Sequence, residues 1–113
     1  MRIVTEKITV SELKEMSGKM FGNLVKAVVD TEKEIMAVDA ELHADEEALL
    51  LENGSKQENL WGINLYPEMT GDDFVEFDSM INIRPKQENR SRGVDNEELQ
   101  KKILEIINKL VTK

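Results

Sequence analysis

The spacing of apolar positions changes along the chain, and each change marks an element. The opening RIVTEKI alternates weakly about Ile3 and predicts a short first strand. At Ile8 the period changes. Thr9 and Glu12 make a T-x-x-E capping box with Ile8 and Leu13 as its hydrophobic staple, so a helix is expected to start at about residue 10. Val10, Leu13, Met16 and Met20 then share one face, and FGN at 21–23 ends the helix. Val25, Ala27 and Val29 line one side of a second strand, and after a charged turn the β-branched run from Ile35 to Val38 completes a hairpin. One long helix over 24–52 is the competing reading, because Gly and Pro are absent between 23 and 53 and only the Val/Ile enrichment opposes it.

Leu49, Leu50 and Leu51 would point almost all round a helix, so their segment is buried on most sides or is a strand. Asn53-Gly54 fits a helix C-cap or a two-residue hairpin turn. Because SKQEN after it shows no alternation, a short helix ending there is favoured, although the pattern of 41–52 admits strand or helix. The clearest β signal is the pair LWGINLYP and FVEFDSMINIRP. Trp61, Ile63 and Leu65 alternate, as do Val75, Phe77, Ile81 and Ile83, and the turn-rich EMTGDD between them predicts antiparallel pairing closed by Pro67 and Pro85. In the last segment Asp95 and Glu98 form a second capping pair. Leu99, Ile103, Ile106, Ile107 and Leu110 make a wide apolar stripe, with acids in the first turn and lysines in the last. The sum is α+β: a single domain over 1–113 with an antiparallel sheet of about five strands, two or three helices on one face, and the C-terminal helix packed on the sheet.

Composition narrows the function classes. With 113 residues, 40% hydrophobic and 34% charged, the chain has apolar area for one core. Cysteine is absent, which excludes disulfides, thiolate chemistry and Cys-ligated zinc. No stretch resembles a secretory h-region or a bilayer span, so a cytoplasmic protein without a membrane partner is expected. Trp61 and the methionines at 16, 20, 36 and 80 read as core packing. The apolar runs exceed what one small body needs, which points to a homo-oligomer. The net charge of −8 makes general nucleic-acid binding unlikely on physical grounds, since that mode depends on cations replacing counterions.

That charge is unevenly spread. Three of the four arginines, Arg84, Arg90 and Arg92, fall with Lys86 and Glu88 in a stretch of local charge +3, leaving −11 on the rest. The stretch leads into the last helix, whose N-terminus favours an anion. Arg84, Arg90 and Arg92, with Asn89 as an orienting amide and Ser91 as a neutral donor, could therefore hold a phosphate or carboxylate, or an acidic protein partner. Asp95, Glu97 and Glu98 already occupy that terminus, so pairing within the chain is the plainer use of the arginines.

Two further groups carry chemistry. If AELHADEE is extended, Glu41, His43 and Asp45 project from one face and could hold a divalent metal with open positions, or His43 could serve as a general base with its pKa raised by the carboxylates. A solvated strand face, or Asp45 as a helix cap, accounts for the same residues. On the paired strands, Asn64, Tyr66, Asp78 and Asn82, with Arg84, should share a polar sheet face that meets either a ligand or water.

Three function classes remain. The first is a small self-associating binding protein that uses the arginine loop for an anionic ligand or acidic partner and needs no cofactor. The second is a metal-dependent hydrolase-like enzyme built on Glu41, His43 and Asp45. The third is a regulatory partner of a nucleic-acid-binding protein, whose acidic surface mimics phosphate.

Across ELHADEEALLLENGSKQENLWGINLYP and FVEFDSMINIRPKQENRSRGV the chain resembles a family of small prokaryotic proteins grouped as a domain of unknown function. The resemblance covers nearly the whole chain. It implies one self-contained domain and no particular reaction, cofactor or catalytic residue.

Overall fold

The structure, a computed structural model describing residues Met1–Lys113, is α+β. Its elements are β1 (Arg2–Val4), β2 (Ile8–Thr9), α1 (Val10–Lys19), β3 (Val25–Asp30), β4 (Ile35–Val38), α2 (His43–Glu52), β5 (Leu60–Leu65), β6 (Val75–Glu76), α3 (Glu97–Leu110) and β7 (Val111–Thr112), with short 3-10 turns between them. Thr9 caps α1: its hydroxyl accepts from the Glu12 amide at 3.1 Å, and the Glu12 carboxylate accepts from the Thr9 amide at 2.8 Å. The staple residues Ile8 and Leu13 are both fully buried.

β1, β4, β3, β5 and β6 lie side by side in that order as one antiparallel sheet. The β3–β4 hairpin is closed by Asp30, whose Oδ1 accepts from the amides of Glu32 and Lys33, each at 2.9 Å. β5 then pairs with β3 along its whole length, from Val25↔Leu65 to Asp30↔Leu60. At the other end of the chain β7 runs parallel to β2, fixing the exit of α3 beside the entrance of α1.

Strand alternation divides the core in two. Val25, Ala27, Val29, Trp61, Ile63, Leu65, Met36 and Val38 face α1 and α3 and pack with Leu13, Ile103, Ile106, Ile107 and Leu110. The opposite face carries only a small cluster, Val28, Ala37 and Leu60 under Leu50 of α2. The expected one-sided arrangement of helices is therefore corrected. α2 covers the second face, because a three-strand centre rich in Val, Ala and Leu on both sides cannot leave either side in water.

The expected long strand over 74–85 is also corrected. Only Val75–Glu76 pair with β5, opposite Leu65 and Asn64, and the chain then leaves the ladder through 3-10 turns at Met80–Asn82 and Pro85–Gln87. The side chain of Asn82 takes over where the strand stops. Its Oδ1 accepts from the Gly62 amide at 2.8 Å, and its Nδ2 donates to the Gly62 carbonyl at 2.9 Å and to the Arg92 carbonyl at 2.9 Å. A carboxamide carries one acceptor and a donor pair in the geometry of a peptide group, so it completes the edge of β5 as a strand residue would. Gly62 is needed for the approach: a Cβ there would stand 2.5 Å from the Ser79 Cβ.

Two smaller corrections concern the cap of α3 and the methionines. α3 is capped by Asn96, which accepts from the Leu99 amide at 3.0 Å, because Asp95 is already committed to the preceding loop. Met36 is buried and Met16 packs at the margin of the main core, but Met20 and Met80 are exposed.

Replacing Asn82 with Ala would orphan both buried polar groups of Gly62, each worth about 1–3 kcal/mol. Urea denaturation should show Asn82→Ala lowering stability by roughly 2–4 kcal/mol with an unchanged slope. Gly62→Ala should be similarly damaging, since it pushes the Ser79–Asn82 turn off the strand. A loss under about 0.5 kcal/mol in both variants would show that this clamp is dispensable.

Candidate functional site

The arginine stretch divides into framework and surface. Arg84 is pinned on all sides: Nε donates to the Ile81 carbonyl at 3.0 Å, Nη1 to the Gln57 carbonyl at 2.9 Å, and Nη2 to the Leu60 carbonyl. Its guanidinium also stacks over Trp61, 4.6 Å from the ring centroid, and lies 3.7 Å from Glu47 of α2. Burial lowers the Arg84 pKa and Glu47 opposes that shift, so the group remains a cation used to tie loop, strand and helix together.

Asn89 is likewise internal. Its Nδ2 donates to the carbonyls of Asn82 at 2.7 Å and Gly93 at 2.8 Å, and its Oδ1 accepts from the Asp95 amide at 2.8 Å. Asp95 in turn accepts from the Ser91 hydroxyl and from the Arg90 amide at 3.0 Å, contacts that hold its carboxyl below the usual range, the Ser91 bond first. Arg92 lies at the surface with Nε 2.7 Å from Asp78 Oδ1. Arg90 is exposed, and its side chain makes no hydrogen bond or ion pair. Of the proposed anion-holding set, Arg84 and Asn89 organise the loop, and Arg90 and Arg92 face solvent.

The second group does not converge. His43 begins α2 rather than sitting in a strand, so Glu41 and Asp45 are exposed while the imidazole is buried against β5. Its Nε2 donates to the Ile63 carbonyl at 2.8 Å, which assigns the proton to that nitrogen. Desolvation lowers the His43 pKa, and this reverses the expected upward shift. No three His, Asp or Glu side chains come together with the spacing that a bound metal ion would need.

Of the third group, Asn64, Tyr66 and Asp78 lie together, whereas Asn82 and Arg84 do not join them. Lys26, Asn64 and Glu76 form a cross-strand row over β3, β5 and β6. Glu76 accepts from Asn64 Nδ2 and from the Tyr66 hydroxyl, each at 2.8 Å. Burial and the carboxylate bond raise the Tyr66 pKa. The Asp78–Arg92 pair extends this face, whereas Asn82 has left it to clamp Gly62.

A cavity that none of these groups predicted lies elsewhere. A cleft of about 640 Å³ opens between Glu58–Asn59, the loop at Gln87–Asn89 and the first turns of α3. Trp61 and Leu99 supply its apolar surface, and Thr31 and three asparagines supply neutral polar groups. Glu58, Glu88, Asp95 and Glu98 face Lys102 across it, so the cleft beside the most basic stretch of the chain is itself acidic. Sequence reasoning missed Glu58, Glu88 and Glu98 as a group because they come from three separated segments. Glu88 was the one residue with a local signal, an acid inside the basic stretch, and it adopts a left-handed backbone at φ 61° that turns the loop.

Neither a curated protein nor a solved structure matches the chain. A family model described as "Protein of unknown function (DUF5674)" matches residues 2–110, and with nearly its whole length covered the chain belongs to that family.

Proposed function

We propose that the chain is a small binding module whose ligand places a positively charged group in the cleft between Glu58–Asn59, Gln87–Asn89 and the start of α3. The observation that carries this reading is the pairing of an indole and a leucine with four carboxylates against one lysine. Such a wall suits an organic amine, or a lysine or arginine side chain of a partner, because the methylenes lie on the apolar surface while the cation meets carboxylates. In this reading Arg84 and Asn89 hold the cleft's wall in shape, and the Asp95 contacts keep one of its carboxylates ionised.

A second reading rests on Arg90, whose guanidinium has no partner and which, with Arg92, supports an anionic group or acidic partner at the outer side of the loop. Self-association is a further part of the proposal. Met80 at 65% exposed and Ile83 at 39% stand close together in the chain on the same surface segment, and Leu42 is exposed at the start of α2. A cytoplasmic location and a prokaryotic origin are further parts of the proposal; no helix is long and apolar enough to cross a membrane.

Trp61 is the only tryptophan and lines the cleft, so its fluorescence reports directly on occupancy. Titration with spermidine should give a saturable change that weakens at high salt and falls at least about tenfold in affinity in a Glu88→Gln/Glu98→Gln double variant. An unresponsive Trp61, or equal affinity in the variant, would sink the cationic reading. Inorganic phosphate should shift amide resonances of residues 89–92 and lose that effect in Arg90→Ala if the outer site exists. Shifts that survive Arg90→Ala would remove Arg90 from it. Light scattering coupled to size exclusion should find a species heavier than the 12.9 kDa chain, and a clean monomer mass would end the self-association proposal.

A further inference from the structure

α2 docks on the sheet with a polar underside. Its buried residues are His43, Glu46 and Leu50, one per turn, so an acid and an imidazole occupy positions where an amphipathic helix would carry apolar side chains. Glu46 is fully buried, and neither of its carboxyl oxygens has a hydrogen-bond partner. The chain has four such orphaned buried side-chain atoms, namely both Glu46 oxygens, Glu47 Oε2 and Asn64 Oδ1. All four are oxygens, three lie on α2, and the fourth lies on the sheet face that α2 covers. Against this the apolar hold is small: Leu50, with Leu49 beside it, meets Val28, Ala37 and Leu60, whereas the opposite face has a core of sixteen buried residues. Left-handed backbone stands near both ends of the helix, at Asp39, φ 70°, and at Gly54, φ 92°.

We propose that α2 is a releasable cover whose docking on the second sheet face is gated by the proton on Glu46. Desolvation pushes the Glu46 carboxyl up to about 10, with the Ala40 amide, which is near but not in hydrogen-bonding geometry, Lys26 of β3 and the N-terminal amine partly opposing and Asp39 reinforcing. The other charged groups at this seam are Glu47 paired with Arg84, Asp30 bonded to the Ser55 hydroxyl at 2.6 Å, and Asp78 and Arg92 facing His43. None of them donates to Glu46. The docked helix therefore holds a neutral acid, while the released helix ionises near the ordinary 4.5.

The sign follows. A docked pKa above the released one gives docking strength that is complete below about 4.5 and is lost as pH rises towards 10. His43, lowered from 6.5, acts oppositely and weakens docking as pH falls below that value. The two effects oppose one another just below 6.5, and above 6.5 Glu46 acts alone. One proton then shifts the docked-to-released ratio by up to tenfold per pH unit.

Hydrogen exchange on the full chain from pH 5 to 9, expressed as protection factors to remove the intrinsic rate change, tests the cover directly. Amides of 47–52 should lose protection by up to tenfold per unit above 6.5 while those of Ile103–Leu110 in α3 stay unchanged. In Glu46→Gln, an isosteric and permanently neutral replacement, the α2 profile should become flat above 6.5, leaving only the loss of protection below 6.5 that His43 causes. Protection in α2 that is independent of pH, that falls equally in Glu46→Gln, or that falls together with α3 would overturn the proposal. A carbon-13 titration placing the Glu46 carboxyl near 4.5 in the folded chain would overturn it as well.

Discussion

The carboxamide of Asn82 against the backbone of Gly62 is the contact on which the arrangement of the candidate surfaces depends. β6 ends after Glu76, so the N–H and C=O of Gly62 would face a void at the edge of a buried strand. Asn82 closes both groups and also bonds the Arg92 carbonyl, while Asn89 bonds the carbonyl of Asn82 itself. One side chain thus sets the edge of the sheet and the position of the whole loop from 79 to 95. That loop delivers Glu88 and Asp95 to the cleft and leaves Arg90 outside it. Backbone polar groups out of reach of water must be paired, and here the pairing is done by side chains that can also turn the chain away from the sheet.

Arg84 performs a complementary task two residues along the same edge of β5, at Leu60. A cation that stacks on Trp61, donates to three carbonyls and faces Glu47 joins the turn before β5, the turn after it and α2. A lysine would reproduce the charge but neither the planar stacking nor the fork of donors. The arginine content of an acidic chain is explained in part by this structural use, so net charge alone was a poor guide to which arginine meets a partner.

The sequence disclosed the elements whose signals are local. The Thr9/Glu12 box, the β3–β4 hairpin, the Asn53-Gly54 helix end and the stripe of α3 all stand where periodicity and capping placed them. What failed was long range. The run FVEFDSMINIRP has strand composition, yet the side chain of Asn82, not a backbone ladder, closes the edge at Gly62, and no local rule reveals that choice. The helix at 43–52 was ambiguous for a physical reason: its buried face holds His43 and Glu46, so it lacks the apolar stripe that identifies a helix from its sequence. Of the candidate site residues, those on the sheet face were legible because strand alternation is rigid, and Asn64, Tyr66 and Asp78 do share a surface. The acidic cleft was not legible, because its walls come from 58, 88 and 95–98, joined only through the Asn82 and Asn89 network.

The two faces of the sheet therefore differ in kind. On the face of α1 and α3 the residues are apolar, interlocked and closed at both chain ends by the β2–β7 pair, which makes it the rigid body to which the cleft is attached. On the face of α2 a neutral acid without a partner sits between a small apolar cluster and an open polar row. Stability in such a fold is unevenly distributed, with the lowest local free energies where apolar contact is least and uncompensated polar groups are most frequent. The consequence is a division of labour within 113 residues. The proposed cleft lies beside the larger core, the proposed pH-gated helix lies on the opposite face of the sheet, and Arg84 bridges the two through Glu47 and Trp61.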